Sequence, residues 1–181
     1  DKAVVLGQLG RINTETGFLE KAKTHFAKAT KYVESCEKGS NPERLKAHLL
    51  RLKSDRAFFL TKSERFEQAD QEYAELFLLV RELGFMDHPL AIKGLGGYIK
   101  TLSQVGKTEQ MFATVDLLIS SYNKRLNREL LAGPRKDNPE HAVMLQSIDD
   151  VLNTLTVACN EPDSSHLHLC SERLFQLVQY S

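Results

Sequence analysis

"LGRINTETGFLEKAKTHFAKAT", Leu9 to Thr30, is the stretch whose reading decides the fold. Gly17 sits where a tight turn must join two helical segments. Beyond it, Ala22, Phe26 and Ala29 return at helical spacing and give the second segment a small–aromatic–small face. Small residues let two helices approach closely, and an aromatic ring fills the space between them. The stretch therefore reads as a helix hairpin.

Outward from it, glycine and proline are sparse and fall between periodic segments. Ile119, Tyr122, Leu126 and Leu130 form one apolar stripe; Met144, Ile148, Val151 and Leu155 form another. Strand-type alternation is nowhere sustained, so the chain is expected to be all-α. The spacing predicts eight helices, at 2–15, 18–37, 43–61, 64–83, 89–104, 108–131, 139–159 and 165–179. Gly39 and Gly84 follow helical runs as candidate left-handed C′ residues. Asn41-Pro42 and Asn138-Pro139 place a capping residue before a proline at the first helical position. His88-Pro89 does the same in "MDHPLA", and "PDSSH" at 162–166 offers a cap for the last helix.

Pro42, Pro89 and Pro139 each open the first helix of a pair, at steps of 47 and 50 residues. A fixed-period series of helix pairs signals an α-solenoid of antiparallel helix pairs, each burying its apolar face on its neighbours. One domain over residues 1–181 is expected, with pairs at 2–37, 43–83 and 89–131 and a capping pair at 139–179.

The hairpin at Leu9–Thr30 resembles the tetratricopeptide repeat. Leu9-Gly10 matches that motif's Leu-Gly pair, Gly17 its turn, and Ala22, Phe26 and Ala29 its second-helix face. Ala57, Ala69, Tyr73 and Leu76 occupy equivalent positions in the second pair, where Glu64 replaces the turn glycine. The third pair keeps Gly106 at the turn, with Met111, Val115 and Leu118 behind it, but has Tyr98-Ile99 in place of Leu-Gly. The fourth shows only the helix-pair pattern. The period exceeds the roughly 34 residues of the standard repeat. Leu83-Gly84, Asp87-His88-Pro89 and Gly106-Lys107 resemble the junction of kinesin-light-chain-type repeats, and bacterial regulators use long repeats of this kind too. The resemblance implies a right-handed superhelix that binds protein segments.

Composition narrows the function classes. Net charge is zero with histidine neutral, so no global field favours nucleic acid or membrane. No apolar run approaches the roughly 18 residues of a membrane span. Three cysteines, Cys36, Cys159 and Cys170, form no C-x-x-C pair and fit a reduced, cytoplasmic setting. The start, "DKAVVLGQLG", carries neither initiator Met nor signal-peptide layout, so a fragment of a longer protein is expected. Glycine-bearing "LGQLG" and "KGLGG" follow no strand, which argues against phosphate-loop chemistry. "GLGG" at 94–97 instead suits close helix approach. His166 and Cys170 stand one turn apart without a second ligand pair, so no metal is expected. The basic run 123–136 suits a helix C-terminus. No catalytic constellation is visible, so neither enzyme activity nor a cofactor is expected.

A solenoid binds on the face lined by the first helices of its pairs. In repeat register that face carries Val4, Gly7, Arg11, Thr14 and Glu15; then Arg51, Ser54, Phe58, Thr61 and Lys62; then Lys93, Gly96, Lys100, Ser103 and Gln104. Arg11, Arg51, Lys62, Lys93 and Lys100 give it a basic bias, and Phe58 an apolar anchor. The second helix of pair two, with Glu64, Glu67, Asp70, Glu72, Glu75 and Glu82, is acidic. The expected function is a scaffold or adaptor for protein–protein interaction that captures a peptide, acidic in character, in the groove. A sensor module of a signalling protein and a structural subunit of an assembly are the alternatives. Chaperone-binding members of the repeat class grip a terminal carboxylate with Lys and Asn. Gly7 and Arg11 stand at those positions here, which argues against that grip.

Overall fold

A computed structural model describes residues 2–36, 42–132, 139–159 and 167–179. Among the described residues the secondary structure is all-helical, without strands. The helices are α1 (Lys2–Glu15), α2 (Leu19–Cys36), α3 (Pro42–Lys62), α4 (Phe66–Glu82), α5 (Pro89–Gln104), α6 (Thr108–Ala132), α7 (Pro139–Cys159) and α8 (Leu167–Val178). Bounds fall within about two residues of the sequence expectation. Helix α4 starts at Phe66 and not at residue 64, because the turn takes up Glu64.

The three turns inside the first three hairpins share one geometry. Gly17, Glu64 and Gly106 all adopt left-handed backbone, with φ of 80°, 57° and 71°. Their amides each donate to the carbonyl three residues back, on Thr14, Thr61 and Ser103, at 3.2 Å in every case. Glycine takes this conformation without steric cost; Glu64 takes it with a Cβ in place. At the joint after α4, Gly84 is again left-handed, with φ 68°. His88 then caps α5: its Nδ1 accepts from the Leu90 amide at 3.2 Å, and Pro89 opens the helix. Arg128 of α6 holds Asp87 beside it at 2.7 Å. Gly39, Asn41, Asn138 and the 162–166 segment lie outside the described residues.

The chain divides into two compact units, residues 1–83 and 84–181. In the first, α1 packs on α2 and α3, α2 also packs on α3, and α3 packs on α4. Ala22, Phe26 and Ala29 are buried, and the Phe26 and Phe59 rings meet at 5.5 Å between centroids. Gly10 lies so close to this aromatic that a Cβ there would come within 2.7 Å of the Phe26 ring. Ala57, Ala69, Tyr73 and Leu76 fill the second hairpin. Burial pushes the Tyr73 hydroxyl pKa up, with a hydrogen bond to Thr61 acting against it.

In the second unit α5 packs on α6 and α7, and α8 packs on both α6 and α7. Its core includes Ile92, Leu95, Ile99, Leu118, Ile148 and Leu155, all fully buried. Helices α5 and α7 meet at Gly96, where a Cβ would sit 3.4 Å from both the Cβ and the carbonyl oxygen of Ser147. A bidentate pair ties α8 to α6: Arg173 Nε and Nη2 each reach an Asp116 carboxylate oxygen at 2.9 Å. No described helix is long and apolar enough to cross a membrane.

Candidate functional site: two faces of the first unit

Four of the six expected binding residues lie in the first unit. Arg11, half-buried on α1, donates to Glu15 at 3.0 Å and to the buried Asp55 of α3 at 3.3 Å. Its guanidinium is thus engaged in holding α1 against α3. Arg51 is exposed, and no carboxylate of the described residues stands within ion-pair distance. Phe58 is half-buried, with the exposed Lys62 ammonium 5.6 Å from its ring centroid. A cation near an aromatic face is favourable even where solvent reaches both. Arg51, Phe58 and Lys62 follow one another at about two-turn and one-turn intervals, so one side of α3 carries all three.

The other two belong to the second unit. Lys100 is exposed on α5, and Lys93 is half-buried with an interaction partner of its own. Several positions expected to face the groove are instead buried. Gly7 lies against Leu52, where a Cβ would be 3.8 Å from the leucine Cδ1, and Gly96 lies against α7. Thr14 and Thr61 turn their hydroxyls back to the carbonyls of Gly10 and Ala57. These small and hydroxyl-bearing side chains suit helix contact, which spacing alone does not separate from a groove.

The opposite, second-helix side holds a feature that the register did not indicate. Helices α2, α3 and α4 wall a cleft of about 610 Å³. Phe26, Ala27, Phe59 and Leu60 contribute its apolar lining, and Lys23, Lys31, Arg56, Arg65, Glu34, Glu72 and Glu75 its charges. Two acids of α4, Glu72 and Glu75, are already matched by cations of α3. Arg56 Nη2 lies 3.2 Å from Glu72, Lys53 lies 3.7 Å from the same carboxylate, and Lys53 also donates to Glu75. That hydrogen bond, with the ammonium's charge, holds the Glu75 carboxyl below its ordinary pKa. The acidic character read from α4 is therefore largely neutralised where it meets α3. A sequence signal existed in the basic run of α3, Lys53 and Arg56, placed to reach across the hairpin.

Among the described residues no three His, Cys, Asp or Glu side chains converge as a metal site would require. His166 and the Cys170 side chain, one helical turn apart in the sequence, lie outside what is described. No family model, curated protein or solved structure matches this chain.

Proposed function

We propose that this protein is a tetratricopeptide-like α-solenoid scaffold that captures an acidic segment of a partner protein on its first-helix face. The stripe of Arg51, Phe58 and Lys62 on α3 carries the reading: two exposed cations flank a half-buried ring. Lys100 of α5 adds a further exposed cation in the second unit. Three hairpin turns of one geometry and the Gly10–Phe26 interlock support the repeat class. Packed helices preorganise such a surface, so little ordering is needed when a peptide binds.

Fluorescence anisotropy with labelled acidic peptides tests the proposal. Wild type is expected to prefer acidic over charge-inverted peptides and to weaken as screening lengths fall to about 8 Å or less. Arg51→Glu/Lys62→Glu is expected to lose affinity at least tenfold. Equal binding by wild type and variant sinks it. Recovery of one partner set by wild type and by Arg51→Glu/Lys100→Glu would count against it equally.

A second reading, a subunit stacked into a larger helical assembly, is supported by α1. Val5 and Ile12 are about half exposed, whereas their equivalents 47 positions on, Leu52 and Phe59, are buried. Leu52 and Phe59 lie where the first hairpin covers α3. Val5→Glu/Ile12→Glu distinguishes the readings, since it would disrupt stacking while sparing peptide affinity.

A further inference from the structure

We infer that the cleft between α2, α3 and α4 is a second recognition site, built for a short peptide segment with an acidic side chain beside an apolar one. It lies on the second-helix side of the first unit and is independent of the Arg51–Lys62 stripe.

Three properties carry this. The first is size: about 610 Å³ falls within the range of ligand clefts, roughly 300–1,000 Å³. The second is its charge after internal pairing. Glu72 and Glu75 are matched by Arg56 and Lys53, which leaves the exposed cations Lys23, Lys31 and Arg65 against one acid outside those pairs, Glu34. Lys23 lies early in α2 and Arg65 immediately precedes α4, while Glu34 and Glu75 lie in later turns, so the charge is graded along the walls. The third is the apolar floor of Phe26 and Phe59, whose rings are already packed on each other.

Together these select a peptide. Main-chain N–H and C=O groups find partners in the exposed Gln68 and Gln71 amides of the cleft wall. The unmatched acid Glu34 would repel a polyanionic nucleic-acid backbone, whereas one carboxylate side chain is complementary to the exposed Lys23, Lys31 and Arg65. An adjacent leucine or phenylalanine covers the Phe26–Phe59 floor.

The experiment is a two-dimensional amide NMR titration of the full chain. The probe is a blocked pentapeptide library with Asp or Glu fixed at one position and Leu or Phe two positions on. Shift changes are expected to centre on Lys23, Phe26, Gln68 and Glu72, and a charge-inverted Lys/Leu library should leave these amides unmoved. Lys23→Glu/Arg65→Glu, at two exposed positions, is expected to weaken the tightest peptide at least tenfold. Arg51→Glu/Lys62→Glu should leave that affinity within twofold, which separates this site from the first-helix stripe. Mapping on wild type gives the answer even if a variant folds poorly. The inference is overturned if no library member shifts the cleft amides. It is equally overturned if the shifts track Arg51 and Lys62, or if millimolar inorganic phosphate displaces the peptide completely.

Discussion

At the scale of single residues, the three turn positions make opposed predictions. Gly17 and Gly106 exploit left-handed backbone, and Glu64 occupies the same conformation with a side chain attached. Gly106→Ala is expected to destabilise by about 1 kcal/mol, because a Cβ resists this φ. Glu64→Gly should stabilise by up to about 1 kcal/mol, reduced by the larger unfolded-state entropy of glycine. Urea unfolding of both variants checks the signs, and a shared sign would contradict the shared geometry. Gly10→Ala meets a different obstacle, since the new methyl would strike the Phe26 ring. A loss of about 1–3 kcal/mol is expected, the usual cost of overpacking. Phe26→Leu should relieve part of that loss in the double variant, because the two changes share one space.

At the scale of elements, helix bounds were legible because their signals are local. Pro42, Pro89 and Pro139 each begin a helix as their fixed φ suggests, and Gly17 and Gly106 mark turns that only favourable left-handed residues occupy easily. Glutamate does not announce a left-handed turn, so the repeat register places Glu64 there while the local pattern begins the helix at residue 64. The site was less legible. Arg11 resembled Arg51 in register, but its role depends on Asp55, which lies 44 positions away on another helix. Likewise the cleft emerges only once Lys53 and Arg56 are seen to neutralise Glu72 and Glu75. Spacing along one helix cannot report pairing across two. The Lys53–Glu75 link gives a pH test. Glu75 has a depressed folded pKa, so its contribution is fully present above the ordinary carboxylate range and is lost as pH falls through the lowered value. Lys53→Met should return the Glu75 titration, followed by side-chain carboxyl NMR, toward its ordinary value. No upward movement would show that the link is not formed in solution. Between α6 and α8, Asp116→Ala should cost up to about 1 kcal/mol, as expected for a bidentate but partly solvated pair.

For the whole molecule, the division into residues 1–83 and 84–181 predicts where a lesion spreads. Ile99→Ala removes a fully buried side chain from the second unit and should cost about 2–5 kcal/mol. Hydrogen exchange is expected to quicken in α5 to α8 while α1 to α4 keep their protection. Uniform acceleration would instead mark the chain as one cooperative body. The pattern of helix packing has a kinetic consequence as well. Each of α1 with α2, α3 with α4, and α5 with α6 meets its immediate successor in the chain. Such sequence-local contacts close short loops at small entropic cost, and proteins rich in them fold in microseconds to milliseconds. Synthesis proceeds at about 5–20 residues per second, far more slowly than that. The first two hairpins can therefore close on the ribosome, one after the other, before the last helices have been translated.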